Sequence, residues 1–336
     1  MLFKSVVTAA LAAAAVAQPL QHQHQHQHQK KEIVTVTVTQ VVSPAAQKTA
    51  LPAASAVSSS PKDSPKDSPK DSPKDSPKDA PSGSFSGAKG ITYTPYTNGP
   101  CKNDAAIKAD ISKLCSFSVI RLYGVDCNQV DNVLNALNDG QKVFAGVQDP
   151  QNVDSDIASL ISQVNGRWNL IHTVSIGNEW VNSGTVPPSE IEALLNRGKA
   201  LLHGAGYSGP VVSVDTFIAI INHPQLCEFS DYIAVNAHPF FDGNVKAENA
   251  GDWVRDMQQK TSATCKGKNT LITETGWPSY GDSNGICMPG YSQQAAAIDS
   301  IVSKSGSSVL LFSAFNESWK KDTAQTFNTE THWGIY

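Results

Sequence analysis

The chain has 336 residues, 40% hydrophobic and 17% charged, with a formal net charge of −4 at pH 7. That composition excludes a wholly disordered polypeptide, and the lack of a basic excess argues against a nucleic-acid-binding protein. All six Trp, all eight Tyr and nine of the eleven Phe lie after residue 87, so the material for a core lies there too.

The first segment reads as an address. Lys4 supplies a positive charge, Val6 to Val16 is an apolar run interrupted only by Thr8, and Ala15-Val16-Ala17 has the small-x-small pattern of a signal-peptidase site. The run is well short of the roughly 20 residues that span a bilayer. Residues 1–17 are therefore read as a secretion signal. The last residues, Thr331 to Tyr336, lack the hydrophobic tail of a lipid-anchor signal. A secreted, extracellular protein with no membrane partner is the expectation.

Residues 18–31 form a Gln/His-rich segment that alternates Gln and His from Gln21 to Gln29, through His22, His24, His26 and His28, and closes on Lys30-Lys31, a dibasic pair suited to processing of a pro-segment. Glu32 to Thr39 alternates with the period of a strand. Ser60 to Asp79 then repeats Ser-Pro-Lys-Asp five times. Proline removes backbone donors, and alternating opposite charges present no apolar face, so burial cannot offset the entropy of ordering. Residues 32–87 are read as a low-complexity linker, disordered and suited by its Ser, Thr and Pro content to O-glycosylation.

Six cysteines follow: Cys101, Cys115, Cys127, Cys227, Cys265 and Cys287. A secreted protein holds cysteines as disulfides by default. None shows the C-x-x-C spacing of a zinc ribbon. Cys227 and Cys265 each precede a strand pattern, which puts both at one end of the fold and makes them the expected pair.

Eight apolar, β-branched runs come next: Gly90–Tyr93, Ser118–Tyr123, Val143–Val147, Ile171–Ile176, Val211–Val214, Tyr232–Asn236, Thr270–Thr273 and Ser308–Phe312. Between them lie one-faced helical patterns: Ala105 to Leu114, Val130 to Leu137, Ile157 to Val164, Glu190 to Leu202, Trp253 to Met257 and Ala295 to Val302. Near-continuous apolar strands separated by helices mean a parallel sheet covered on both faces. The number of units and a length of about 250 residues match an α/β fold of (β/α)8 TIM-barrel type over residues 88–336, preceded by the Ser/Pro-rich region. An open doubly wound sheet lacks support, since no glycine-rich phosphate loop follows any strand.

Function in such a barrel sits where strands end. Glu179 directly follows the fourth run and Glu274 the seventh. A buried carboxylate is costly without a partner or a task, and two at strand ends point to catalysis. Glycoside cleavage needs two carboxyl groups, one to protonate the leaving oxygen and one to meet the positive charge at the anomeric carbon. Tyr93, Tyr123, Phe241, Trp277 and Trp319 at the same rim are candidates for stacking on sugar faces. Metal use through the Gln/His tract is the weakest alternative, so neither metal nor cofactor is expected.

The residues that carry a family resemblance are Val119-Ile120-Arg121-Leu122-Tyr123-Gly124, Ser175-Ile176-Gly177-Asn178-Glu179, Asn236-Ala237-His238-Pro239-Phe240-Phe241, Ile272-Thr273-Glu274-Thr275-Gly276-Trp277-Pro278-Ser279 and Ala314-Phe315-Asn316-Glu317-Ser318-Trp319-Lys320. In this order they resemble the glycoside hydrolases of family 17, and more narrowly the fungal soluble cell-wall branch. The resemblance implies a retaining β-1,3-glucanase or glucanosyltransferase of the cell wall, with Glu179 as acid and base and Glu274 as nucleophile. It implies that Arg121 supports Glu274, that Asn178 bonds the sugar 2-hydroxyl, and that Glu317 and Lys320 flank the cleft. The partners implied are β-1,3-glucan and the wall matrix, met by a monomer. A non-catalytic wall mannoprotein or adhesin on the same scaffold is the alternative. Asn316-Glu317-Ser318 is the one N-glycosylation sequon, and its place at a strand end argues against an accessible acceptor.

Overall fold

The computed structural model describes residues 87–336. The signal-like segment, the Gln/His tract and the linker up to residue 86 lie outside the described residues. The elements run β1 (Gly90–Thr92), α1 (Asp104–Lys113), β2 (Val119–Arg121), α2 (Gln129–Ala136), β3 (Lys142–Val147), α3 (Val153–Val164), β4 (Ile171–Asn178), α4 (Pro188–Gly204), β5 (Val211–Thr216), α5 (Phe217–Asn222), β6 (Ile233–Asn236), α6 (Ala250–Thr264), β7 (Thr270–Thr275), α7 (Tyr291–Ser305) and β8 (Val309–Leu311). Consecutive strands pair in parallel, and β8 pairs back onto β1, closing an eight-stranded barrel. The expected barrel is the one observed.

Alternation along the strands sorts the core into two layers. Val119, Phe144, Val212, Val214, Ala234, Leu271 and Leu310 form one cluster, the packed interior of the barrel. Ile120, Val143, Ala145, Val174, Val211, Val235 and Ile272 belong to the larger cluster that packs strands against helices. Toward the strands' C-terminal ends the interior turns polar: Arg121, Asn236 and Thr273 are buried there.

Two register shifts decide which side chains reach that polar end. Between β4 and β5, Ser175 pairs with Val212 but Asn178 pairs with Val214, so β4 carries one extra residue. Between β6 and β7, Val235 pairs with Ile272 but Asn236 pairs with Glu274, so β7 carries one extra residue too. Each extra residue reverses the in-out parity of the strand beyond it. Asn178 thus takes the inward phase of Ser175, and Glu274 that of Asn236. Gly177 sits in the first bulge with φ +92°, where an added Cβ would meet the Trp180 ring at 2.7 Å.

Some expectations change. The short α5 was not legible as a helix, because Phe217-Ile218-Ala219-Ile220-Ile221 is apolar on every side and shows no face. Thr216 caps it, accepting the Ala219 N–H at 3.1 Å. The cysteines pair as Cys101–Cys127 and as the expected Cys227–Cys265. Cys115 and Cys287 remain thiols, so the default of full pairing fails for two of the six. Cys115 is exposed after α1, whereas Cys287 is buried with its Sγ 3.0 Å from the Val245 carbonyl oxygen. Asn316 of the sequon is exposed rather than shielded, though its Oδ1 accepts the Gly334 N–H at 2.9 Å. No helix among the described residues is long and apolar enough to cross a membrane.

Candidate active site

Glu274 lies inside β7, turned inward by the bulge and 0% exposed. Its Oε1 accepts from Arg121 Nη1 at 2.9 Å and from the Tyr123 hydroxyl at 2.9 Å. Its Oε2 lies 3.3 Å from His238 Nε2. Both donors on Oε1 come from the β2 end, where Val119-Ile120-Arg121-Leu122-Tyr123 points every second side chain inward. A guanidinium and a phenol aimed at one oxygen favour the carboxylate form. Tyr123 itself stays protonated, since burial and then the charge of Glu274 hold its hydroxyl well above the usual phenol range.

Glu179 is the first residue beyond β4 and is 7% exposed. Its backbone is left-handed, φ +56°, a conformation that costs a non-glycine residue about 1 kcal/mol. Its N–H donates to the Val214 carbonyl at 2.9 Å, so the strained residue is still tied to the sheet. Its Oε1 accepts from Asn236 Nδ2 at 2.9 Å. Asn236 thus gives this oxygen a neutral amide donor, where Oε1 of Glu274 receives a cation.

Arg121 links the two. The guanidinium is buried, with Nη1 also donating to Asn236 Oδ1 at 3.2 Å and to the Thr273 carbonyl at 2.9 Å. Nη2 donates to Asn178 Oδ1 at 2.7 Å, and Tyr123 and Phe144 lie against its plane at 4.6 and 5.5 Å. Asn178 Oδ1 receives Asn236 Nδ2 as well, at 3.2 Å, which turns its NH2 group away from these donors. One amide and one guanidinium thus connect Glu179 to Glu274.

Three residues of this network were not singled out from the sequence: Asn236, His238 and Asp215. Asn236 and His238 lie in a motif recognised as a strand end, but nothing local says they reach two glutamates. Asp215 carried the same signal as Glu179, an acid at the end of an apolar strand. It is 2% exposed and accepts N–H bonds from Val181 at 2.8 Å, Asn182 at 3.1 Å and Thr216 at 2.8 Å. Burial first, and then the charge of Glu179, push its carboxyl up to about 7, against the lowering effect of the three N–H groups.

The remaining sequence candidates separate by depth. Tyr123 is at the centre of the site. Glu317 and Lys320 pair at 2.6 Å with both side chains almost buried, and Thr94 Oγ1 donates to Glu317 Oε1 at 2.7 Å. Burial lowers the Lys320 pKa, but the charges of Glu317 and Glu330 outweigh that and raise it above the usual lysine value. Trp319 is half-buried, edge-on to Tyr96 at 5.1 Å, and Phe241 is half-buried against Trp333 at 5.7 Å. Tyr93 and Trp277 are instead in the core. The Tyr93 hydroxyl donates to Asp110 at 3.0 Å, and Trp277, 0% exposed, donates Nε1–H to the Met288 carbonyl at 2.8 Å. These two rings follow β1 and β7 closely, and there the chain still packs outward against helices. Among the described residues no group of three or more His, Cys, Asp or Glu side chains could hold a metal ion.

Comparison with known proteins gives a consistent picture. Residues 90–334 match the BtgE/BtgC glycoside hydrolase domain. The chain is 56% identical over 254 residues to a cell surface mannoprotein, MP65, of Candida albicans, covering 74% of this chain and 67% of that one. It is 46% identical over 254 residues to the probable family 17 glucosidase SCW4 of Saccharomyces cerevisiae, covering 74% and 65%. The chain thus spans about two thirds of the length of these curated relatives. A glycoside hydrolase family 17 β-1,3-glucanosyltransferase from Rhizomucor miehei shares the fold, with a TM-score of 0.65 at 21% identity over 74% of this chain and 92% of that one. An active-site mutant of that enzyme was solved in complex with laminaritriose.

Proposed function

Since the chain belongs to the BtgE/BtgC glycoside hydrolase family, whose relatives include probable family 17 glucosidases, we propose that it cleaves β-1,3-glucan with retention of configuration. Glu179 is the general acid and then base, and Glu274 is the nucleophile. The observation that carries this division is the unequal surroundings of the two carboxyls. Arg121 and Tyr123 both donate to Glu274, while Glu179 faces the neutral Asn236 and neighbours the acid Asp215. Environments that push two carboxyls apart assign the acid and the base.

In the first step Glu179 gives its proton to the glycosidic oxygen as the C1–O bond breaks. Glu274 forms a bond to C1, giving a glycosyl ester. In the second step a water or a sugar hydroxyl attacks C1, passes its proton to Glu179 and releases Glu274. Asn178, with its Oδ1 held by Arg121, is oriented to donate from its NH2 group to the sugar 2-hydroxyl. Trp319 and Phe241 offer partly exposed aromatic faces at the rim, suited to a neutral sugar. Residues 88–336 are then the catalytic part, delivered to the cell wall by the signal in residues 1–17. The cell-surface name of the Candida relative and the laminaritriose held by the Rhizomucor enzyme support this reading.

The test is to incubate the purified full chain with reduced laminari-oligosaccharides and follow the products by mass. Shorter products alone mean hydrolysis, and products longer than the substrate mean glucanosyl transfer. Loss of both in Glu274→Gln, with folding intact, is expected. The mannoprotein relative favours a second reading, a non-catalytic wall protein. A wild-type chain with no activity on any glucan length, but with a wall phenotype kept by Glu274→Gln, would favour that reading instead.

A further inference from the structure

Asp215 closes β5 beside Glu179, buried and bonded to a turn that begins at Glu179. Val181 and Asn182 are the second and third residues after Glu179, and both give their N–H groups to the Asp215 carboxyl. The turn closes on itself through the Ser183 N–H and Oγ, which donate to the Glu179 carbonyl at 2.9 and 2.7 Å. Asp215 also accepts the N–H of Thr216, the cap of α5. One carboxylate therefore binds both the turn after Glu179 and the start of α5.

We propose that Asp215 is the positioning residue of Glu179: its carboxyl group holds the left-handed turn that aims Glu179, and the two neighbouring acids resist being ionised together, so that the pair retains one proton for the leaving group. This inference rests on the acid role assigned to Glu179 above. A cap alone needs only an acceptor, and serine, threonine or asparagine serve as well at such turns. A buried acid costs more than any of these. What it adds is repulsion between two carboxylates, which resist being ionised together and titrate as a pair.

The charged neighbours are consistent with that division. From β4 the group facing Asp215 is Glu179, whose charge is the coulombic influence on it. From β6, Asn236 is neutral, and His238 lies against Glu274. On β2 and β7, Arg121 and Glu274 are paired with each other, and beyond β8 Glu317 is paired with Lys320. Among the described residues, Arg121 and Lys320 are thus paired with other carboxylates.

The near-isosteric Asp215→Asn separates charge from shape. A 2,4-dinitrophenyl β-laminaribioside leaves without protonation, whereas a reduced laminari-oligosaccharide requires it. Asparagine is expected to cost at least about tenfold in kcat/KM on the oligosaccharide and far less on the aryl glycoside. The alkaline limb of the oligosaccharide profile should also move to lower pH. Equal losses on both substrates with an unmoved limb would overturn the proposal. Should the variant not fold, the wild-type chain labelled with 13C-aspartate gives the answer by carboxyl NMR. One aspartate should titrate near neutrality, with a midpoint that falls in Glu179→Gln; an unchanged midpoint would also overturn the proposal. A wild-type chain inactive on both substrates would instead remove the catalytic reading, and the titration arm would still report the coupling.

Discussion

Arg121 and Glu274 form an ion pair, Nη1 to Oε1 at 2.9 Å, in which neither side chain reaches solvent. Two charges taken out of water repay their desolvation only when further hydrogen bonds complete the geometry. Here Thr273, Asn236 and Asn178 accept further bonds from Nη1 and Nη2, while Nε is buried without a hydrogen-bond partner, and Tyr123 adds a second bond to the carboxylate. The bonds around the pair thus offset part of its desolvation.

Arg121→Lys tests the planar fork. An ammonium keeps the charge but cannot serve Glu274, Asn178 and Asn236 from one rigid plane. Stability is expected to fall by about 3 kcal/mol, read from denaturant midpoints. Activity on laminari-oligosaccharides should fall about 100-fold. A lysine variant close to wild type in both would show that charge alone suffices.

The stability of the barrel should depend on pH through Asp215. Its folded value is raised to about 7 from an ordinary 3.8 by burial and by Glu179. A carboxyl that holds its proton more tightly when folded stabilises the folded state below its unfolded pKa. That contribution is lost as pH rises through the folded value. Stability from this group should therefore decline between about pH 4 and pH 7, by an amount of order 4 kcal/mol at most. Urea denaturation at the two pH values, compared with Asp215→Asn, measures it. The difference should shrink markedly in the variant.

Trp277 and Trp319 should respond in opposite ways to replacement by alanine. Trp277 is fully buried, so its loss leaves a cavity and costs about 3–5 kcal/mol of stability. Trp319 is partly exposed at the rim, so its loss should raise KM for oligosaccharides several-fold with a smaller change in stability. Thermal melts and steady-state kinetics on both variants give the comparison. A raised KM with unchanged melting for Trp277→Ala would reverse these assignments.

The Cys227–Cys265 bond spans a sequence separation of 38 residues and ties the turn before β6 to the end of α6. Closing a loop of that length restricts the unfolded chain by about 4 kcal/mol. Replacing both cysteines with alanine should lower the denaturation midpoint by a corresponding amount and leave kcat unchanged, because the bond lies at the far end of the strands from Glu179 and Glu274. A large fall in kcat at temperatures where the variant is folded would contradict that.

The sequence by itself determined the eight strands, six of the helices and the placing of Glu179 and Glu274 at strand ends. Those features are local: apolar runs and one-faced patterns depend on neighbours two to four residues away. Tertiary structure alone decided where the side chains point. Asn178 and Glu274 turn inward because β4 and β7 each carry one residue more than the strand beside them, a mismatch that exists only between strands. Asn236 and Asp215 acquire their part in the site from side chains and backbone brought close by barrel closure, across 57 residues between Asn236 and Glu179. The same closure sends Trp277, directly after β7, into the core and leaves Trp319, in the longer segment after β8, at the rim. Burial is a property of the packed layers, and no period along the chain encodes it.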